Sequence, residues 1–197
     1  MLNDRSSILS LLETRRSAKP RELVGPGPNI EELERILSIA ARSPDHGKLA
    51  PWRFVPVADK QRSELAALFR EALTKEDEAA QPAKYEKAEE FAHNAGQLVV
   101  LISAPHHGHK IPVWEQELSC GAAAMNLLLA SHALGFVAGW VTGWYAYSNV
   151  VQSAFCEPGE RIGGFIFIGH ARRDLEERPR AQLSDVCKSW PGYTSAT

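Results

Sequence analysis

Apolar residues along the chain occur in runs and spacings that distinguish strands from helices. The continuous apolar run at residues 98–103 has the length of a strand, and such a run predicts a strand that is covered on both faces. Weaker strand patterns lie at residues 52–57, 136–142 and 163–168. The pattern therefore predicts a sheet with three or four buried strands.

Helical spacing dominates the segments between these strands. Asn29 and Glu32 form a capping pair, and the helix that they begin should end near Ser43-Pro44, because the residue before proline avoids the helical region. Further helices are predicted at residues 6–14, 60–78, 83–95 and 148–155. We expect helices on both faces of the sheet, and one domain over residues 1–197 because no interdomain linker is visible.

The longest uncharged segment has no Asp, Glu, Lys or Arg between Glu117 and Glu157. Residues 112–134 predict a helix buried on nearly every side, at the centre of a core or at a subunit interface. The alternative is a membrane span over residues 118–141, which is long enough but contains polar residues and glycines. Small side chains at residues 120–124 would let a second backbone approach, so we expect a homodimer seam there.

Composition places the chain among ordinary globular proteins. Of its 197 residues, 44% are apolar and 23% are charged, and the net charge is −2. This balance excludes a general binder of nucleic acid and confines any anion site to a local group of cations. Three dispersed cysteines and the lack of a visible signal peptide favour the reducing cytoplasm.

Two polar segments are candidates for anion binding. Arg15-Arg16-Ser17 follows the first helix, and two guanidiniums with a hydroxyl could hold a phosphate, although adjacent arginines are also common on a solvated surface. The loop at residues 42–48 carries Arg42, His46 and Lys48 between a helix and a strand. Such loops often carry chemistry, and an ordinary turn is the alternative.

Two further segments have weaker chemical signals. Residues 135–144 combine glycines, which permit close backbone approach, with two tryptophans, which can stack on a flat ligand. A core strand interrupted by glycine explains this pattern almost equally well. His106, His107 and His109 could bind a transition metal, but no acid or cysteine stands close by in the sequence, so no metal site is predicted.

Taken together, these segments resemble the nitroreductase family of FMN flavoproteins, in its compact NAD(P)H-nitroreductase-like branch. The motifs, in order, are Arg15-Arg16-Ser17, Ser43-Pro44-Asp45-His46 before Pro51-Trp52, Lys110-Ile111-Pro112 with Trp114-Glu115-Gln116-Glu117, and Gly135-Phe136 before Gly139-Trp140-Val141-Thr142-Gly143. The strand at residues 164–169 also resembles the family's closing strand. The resemblance covers nearly the whole chain.

The resemblance implies an α+β fold, a three-layer α/β/α sandwich with a central mixed sheet, that dimerises through its long helix. Two FMN sites at the interface are implied. The residues implied to hold the phosphate and ribityl end are Arg15, Arg16 and Ser17. Those implied to line the flavin are Arg42 and His46, and those implied to come from the other subunit are Trp140, Val141 and Thr142.

The tail at residues 170–197 is expected to be extended and to contact the partner subunit. In this family a basic residue of the tail commonly joins the phosphate, and the candidates here are Arg172, Arg173 and Arg180. Two positions depart from the family pattern. Ala50 stands where Gln often precedes the Pro-Trp pair, and Val141 stands where a polar residue is often seen.

The implied activity is an FMN-dependent oxidoreductase that carries electrons from NADH or NADPH to nitroaromatics, quinones or similar small molecules by ping-pong turnover. No protein residue need be catalytic, because the flavin carries the redox chemistry. A cation such as Arg42 or Lys48, or the donor His46, would stabilise negative charge on the reduced flavin. The alternatives are an FMN-binding storage or sensing protein with little turnover, a membrane-anchored protein and a metal-binding protein.

Overall fold

The computed structural model describes residues 1–192 and centres on a sheet of five strands. The strands are β1 (Leu23–Val24), β2 (Trp52–Val57), β3 (Gln97–Ser103), β4 (Val137–Val141) and β5 (Arg161–Ala171). One edge of β5 pairs with β3, which in turn pairs with β2, and the other edge of β5 pairs with β4 and then with β1. The long last strand therefore organises the sheet.

Eight α-helices surround this sheet in the described part of the chain. They are α1 (Ile8–Thr14), α2 (Ile30–Ala40), α3 (Arg62–Glu76), α4 (Pro82–Ala92), α5 (Val113–Ala133), α6 (Trp144–Tyr147), α7 (Asn149–Phe155) and α8 (Leu183–Val186). The predicted capping pair at α2 is confirmed. The backbone N–H of Glu32 donates to Asn29 Oδ1, and that of Asn29 donates to Glu32 Oε2, each at 2.9 Å.

Helices pack on both faces of the sheet, which confirms the α+β fold with three layers. The residues of β3 belong to two separate cores, because successive side chains of a strand point to opposite faces. Leu98, Val100 and Ile102 pack into the core formed with α3 and α4. Val99 and Leu101 pack into the core formed with α2 and α5. The predicted burial of this strand on both faces is thus confirmed.

The expected mixed sheet is not found, because all four strand pairings within residues 1–192 are antiparallel. β3 and β4, which are joined through α5, do run in the same direction, but β5 lies between them and pairs with both. Helix α3 leads away from the end of β2 and α4 leads back, so β3 begins beside the residue at which β2 ends. These connections place every hydrogen-bonded neighbour in the opposite direction.

The central helix α5 is less enclosed than its uncharged sequence predicts. The sheet covers one side, while Trp114 and Leu118 on the outer side are 61% and 62% exposed. Ala122, Met125 and Leu129 continue this outer apolar stripe at helical spacing and are half-buried. The expected burial on nearly every side is therefore wrong for the single chain. No helix within residues 1–192 is long and apolar enough to cross a membrane.

The C-terminal tail begins slightly later than predicted, because β5 continues to Ala171. From residue 172 to residue 192 the chain is exposed except for Leu175, which is half-buried, and its one helix, α8, has four residues. The tail therefore adds little to the core of its own chain. Residues 193–197 of the predicted tail lie outside the described residues. Three apolar residues of the tail, Leu183, Val186 and Trp190, are largely exposed.

Candidate functional site

A pocket of about 270 Å³ lies where three segments meet beside the sheet. Residues 16–19 come from the chain after α1, residues 139–141 from the end of β4, and residues 173–176 from the chain after β5, and Glu22 completes the wall. The structure thus brings together four sequence-predicted site residues from two motifs, Arg16 and Ser17 from the first and Trp140 and Val141 from the second, and it adds part of the tail. We refer to this site as the arginine pocket.

The two arginines of the first motif converge on Ser17. Arg15 Nη1 donates to Ser17 Oγ at 3.0 Å, and Arg16 Nη1 donates to the Ser17 carbonyl oxygen at 2.8 Å. Arg15 is half-buried, and burial together with the nearby charges of Arg180 and Arg16 lowers its pKa from the usual value. Three arginines, Arg15, Arg16 and Arg180, therefore come close together here, with Glu177 beside them.

Asn3 holds the backbone of Arg16, and the sequence analysis missed it. The Arg16 N–H donates to Asn3 Oδ1 at 2.8 Å, and Asn3 Nδ2 donates to the Arg16 carbonyl oxygen at 3.1 Å. An amide side chain that satisfies both backbone groups of one residue fixes its position much as a strand neighbour would. No pattern in the sequence links Asn3 to Arg16, because the contact spans 13 positions across α1.

Two glycines make the close contacts that shape the arginine pocket. A Cβ atom at Gly139 would lie 2.3 Å from the carbonyl oxygen of Ala18, so only glycine lets the chain after Ser17 approach β4. A Cβ atom at Gly164 would lie 2.2 Å from Trp140 Nε1, which donates to the Gly163 carbonyl oxygen at 3.0 Å. The glycines therefore position Ser17 and the Trp140 indole.

Among the candidate tail arginines, Arg173 lines the arginine pocket and Arg172 does not. Arg172 donates its backbone N–H to the Glu22 carbonyl oxygen at 2.9 Å, while Arg173 Nη2 lies 3.2 Å from Glu22 Oε1. Successive side chains of an extended chain point to opposite sides, which explains the difference. Arg180 Nη2 donates to the Arg15 carbonyl oxygen at 3.2 Å and so also lies at the edge of this region.

The loop at residues 42–50 forms a second group, which we call the histidine loop. None of its candidate residues, Arg42, His46 and Lys48, lines the arginine pocket. The loop is attached to α5 instead: Ser119 Oγ donates to the Pro44 carbonyl oxygen at 2.6 Å, and Asn126 Nδ2 donates to Ser43 Oγ at 2.7 Å.

The backbone of the histidine loop is strained. Gly47, Lys48 and Ala50 have φ angles of 83°, 57° and 46°, in the left-handed region that disfavours residues with a Cβ atom. The Ala50 N–H donates to Asp45 Oδ2 at 2.8 Å, which closes the loop on itself. Such strain persists where the surroundings fix the backbone, and it clusters at functional sites.

The arginine pocket and the histidine loop are separate in the single chain. Ser119 and Asn126 of α5 hold the loop, whereas His132, in the last turn of α5, has its pKa lowered to about 4 by burial and then by the charge of Arg15. No residue of the loop lines the arginine pocket, so the two groups of one chain do not form one site.

Trp140 and Val141 line the arginine pocket together with Arg16 and Ser17 of the same chain, whereas the resemblance implies that they come from the other subunit. The physical reason is the close contact of Ala18 with β4 at Gly139. Thr142 follows β4 and is exposed outside the pocket lining.

The histidines of the loop at residues 106–109 are held by backbone contacts. His107 Nε2 lies 2.8 Å from the Gly159 carbonyl oxygen, and His109 Nδ1 accepts from the Ile111 N–H at 3.2 Å. Within residues 1–192 no three or more His, Cys, Asp or Glu side chains come together in a group that could hold a metal ion.

Comparison with known proteins adds to this geometry. The model of the Nitroreductase family matches residues 12–170. A Haemophilus influenzae protein named "Putative NAD(P)H nitroreductase" is 36% identical over 174 residues, which cover 87% of this chain and 92% of that protein. "Putative NAD(P)H nitroreductase YdjA" of Escherichia coli K12 is 34% identical over 165 residues, which cover 82% of this chain and 86% of that protein.

Solved structures show the same fold at lower sequence identity. A nitroreductase-like family protein from Bacillus cereus superposes with a TM-score of 0.82 at 20% identity, and the match covers 95% of this chain and 97% of that one. The FMN- and NADPH-dependent nitroreductase NfnB of a Sphigopyxis strain gives 0.73 at 18% identity, over 95% of this chain and 100% of that one.

Proposed function

The chain belongs to the nitroreductase family, and from this premise we propose that it is an FMN-dependent oxidoreductase that takes electrons from NADH or NADPH. The observation that carries the proposal is the arginine pocket, which joins Arg16 and Ser17 to Trp140 and Val141. A cationic end beside an aromatic end suits a ligand with a phosphate at one end and a flat ring at the other.

The residues of the pocket fit the phosphate end of FMN. A phosphate carries close to two negative charges and needs paired donors once it leaves water. Arg16, Lys19 and Arg173 supply cations in the wall and Ser17 supplies a hydroxyl, while Glu22, Asp174 and Glu176 are acids of the same wall. Glu22 already lies against Arg173, which limits its repulsion of an anion. The phosphate would replace contacts that Arg16 now makes with the Glu176 carbonyl oxygen at 2.8 Å.

The size of the pocket supports a site completed by a second copy. About 270 Å³ is less than the roughly 300–1,000 Å³ typical of pockets that enclose a whole cofactor-sized ligand. The phosphate and ribityl chain would fill it, and the isoalloxazine ring would extend beyond it. A surface from a partner chain would then cover the ring.

We propose that the partner is an identical chain that packs through the outer face of α5. Trp114 and Leu118 on α5 are largely exposed, as are Ile8, Leu9 and Leu12 on α1. Two-fold symmetry brings the same patch of both chains together, and antiparallel packing of the two α5 helices would place the histidine loop of one chain near the arginine pocket of the other. The described part of the tail, residues 172–192, would then lie against the partner.

The proposed roles of the candidate residues follow from this arrangement. Arg15, Arg16, Ser17 and one tail arginine hold the phosphate, and the contacts favour Arg173 over Arg172 for that role. Residues 140–142 lie beside the ring. FMN, when bound, supplies two-electron transfer from NADH or NADPH to the acceptor.

The histidine loop of the partner would act on the charge of the reduced cofactor. Arg42 and Lys48 bring fixed positive charge, and His46 brings a hydrogen-bond donor. Such preorganised groups stabilise negative charge where it develops. We propose nitroaromatics and quinones as acceptors, with ping-pong turnover in which the oxidised dinucleotide leaves before the acceptor binds. The three free cysteines agree with the proposed cytoplasmic location.

The test is the colour and the turnover of the purified protein. We expect a yellow dimer that releases FMN on denaturation, bleaches within seconds when NADH or NADPH is added without oxygen, and recovers its colour with a quinone. Parallel lines in double-reciprocal plots would support ping-pong turnover. A colourless protein that takes up no added FMN would contradict the proposal, and a yellow one that bleaches only over hours would favour the storage or sensing alternative.

A further inference from the structure

His46 and Glu115 form a contact that the binding roles proposed above do not require. His46 Nδ1 lies 2.9 Å from Glu115 Oε2. The two residues come from the histidine loop and from the first turn of α5, 69 positions apart in the chain. An exposed ion pair contributes at most about 1 kcal/mol to stability. Stability alone therefore does not explain a contact between the histidine loop and α5.

The backbone is held in place both before and after His46 in the chain. Ser119 and Asn126 of α5 hold Pro44 and Ser43, and the left-handed backbone at Gly47 and Lys48 follows directly after His46. A Cβ atom at Gly47 would lie 2.4 Å from Ile111 Cδ1, so the segment that leads into α5 packs closely against this turn. The position of the His46 backbone relative to Glu115 is therefore determined by the fold.

The contact leaves one ring nitrogen of His46 available. Glu115 occupies Nδ1, and His46 is 67% exposed in the single chain, so Nε2 can meet a ligand. In the protonated ring both nitrogens are donors, and a carboxylate on one of them sets the orientation of the ring and leaves the other N–H free to donate. The same division of roles operates in general acid–base catalysis by a carboxylate-bound histidine.

We propose that His46 is the proton donor to the electron acceptor and that Glu115 is its positioning residue. The inference rests on the proposed function, in which the histidine loop faces the flavin of the partner. A quinone that accepts a hydride equivalent from the reduced cofactor develops negative charge on oxygen. As this charge develops, the Nε2–H bond of the imidazolium breaks and an O–H bond forms on that oxygen, which gives the neutral hydroquinone. The neutral ring then regains its proton from water.

Two electron acceptors separate this role from flavin binding. Benzoquinone needs a proton on oxygen, whereas ferricyanide takes one electron and no proton. Both rates are taken as kcat/KM for the acceptor, which in ping-pong turnover does not depend on reduction by NADH. The value for benzoquinone divided by the value for ferricyanide also cancels any change in flavin content. General acid catalysis contributes about 10²–10⁴-fold. We expect His46→Gln to lower this ratio by about 10²-fold, and Glu115→Ala to lower it by about 10-fold because an unpositioned histidine still donates.

The chain offers a matched control pair. His93 Nδ1 lies 3.6 Å from Glu89 Oε1 on α4, in another exposed pair of the same residue types. His93→Gln should leave the ratio of the two rates at the wild-type value. An equal fall in His93→Gln would mean that any loss of a surface histidine lowers the ratio, and this would overturn the proposal.

A spectroscopic readout tests the positioning role without turnover. Long-range ¹H–¹⁵N spectra of the flavin-free protein, recorded at alkaline pH where imidazole is neutral, report which ring nitrogen carries the proton. We expect His46 to carry it on Nδ1 in the wild type, because Glu115 accepts from that atom, and to shift towards the tautomer mixture of an unrestrained ring in Glu115→Ala. A tautomer that does not change in Glu115→Ala would overturn the role of Glu115.

Failure of the inference and failure of the proposed function give different results. A wild-type protein without FMN, or one that NADH does not bleach, overturns the proposed function and this inference with it. A protein that bleaches normally, but whose ratio of rates is unchanged in His46→Gln, overturns this inference alone and leaves the proposed function standing.

Discussion

The arginine pocket and the histidine loop both follow a helix and both carry cations, yet the fold holds them in different ways. Ser17 and its neighbours lie against β4, where Gly139 permits close backbone approach, and half-buried charges accumulate there. The histidine loop is exposed, strained and attached by side-chain hydrogen bonds to one helix. The first region can bind an anion within its own chain, whereas the second needs a partner to give its exposed groups a ligand.

The largest expected effect is on the pH dependence of stability, and it comes from the buried His132 of α5. Burial and the charge of Arg15 lower the pKa of His132 from 6.5 to about 4. The unfolded chain then binds more protons than the folded one between these pH values, so stability falls as pH falls from about 6.5 to about 4. At about 1.4 kcal/mol for each pH unit, His132 alone removes about 3 kcal/mol of unfolding free energy across that window.

Urea unfolding at pH 7 and at pH 4 measures this effect. His132→Leu should lose much less stability between the two values than the wild type does, while His93→Gln, which removes an exposed histidine, should lose the same amount as the wild type. If wild type and His132→Leu lose equal amounts, His132 does not titrate as its burial implies.

A second prediction concerns the phosphate end of the arginine pocket. Arg16→Ala should weaken FMN binding by about 30-fold, because a hydrogen bond to a charged group contributes about 1.5–3 kcal/mol. The midpoint of thermal unfolding of the flavin-free protein should change little, because Arg16 is only half-buried. Titration of the flavin-free protein with FMN, followed by flavin fluorescence, gives the dissociation constant.

Arg21→Ala is the matched control, since Arg21 is an exposed arginine close in sequence that does not line the pocket. It should bind FMN as the wild type does. Equal affinity in Arg16→Ala and Arg21→Ala would remove the first arginine motif from the proposed phosphate site.

The smallest expected effect comes from Ser119→Ala, which alters the histidine loop and leaves the arginine pocket unchanged. Ser119→Ala removes the hydrogen bond to the Pro44 carbonyl oxygen and should lower the free energy of unfolding by about 1 kcal/mol. The affinity for FMN should fall less than in Arg16→Ala, because the phosphate contacts remain intact. The rate of quinone reduction should fall, because the histidine loop loses one of its hydrogen bonds to α5. A loss of affinity as large as that in Arg16→Ala would show that the two regions are not separate.

The sequence predicted the local features of the fold well. The capping pair at Asn29 and Glu32 and the strand at residues 52–57 were both identified, because each depends on residues that are neighbours in the chain. The relation of Asn3 to Arg16, and of Ser119 to Pro44, was not predictable. Polar contacts between distant segments leave no periodic pattern, and any Asn or Ser could have made them.

The sequence by itself determined most of the helices and strands, although not β1, α6 or α8. It also determined which strand is covered on both faces and which cations are candidates for a phosphate, since these depend on the spacing and chemistry of nearby residues. Only the tertiary structure decided that the sheet is antiparallel, that Trp140 and Val141 share a pocket with Arg16, and that the histidine loop lies elsewhere. The physical reason is that strand order and the close contact at Gly139 follow from how distant segments pack, which hydrophobic spacing does not encode.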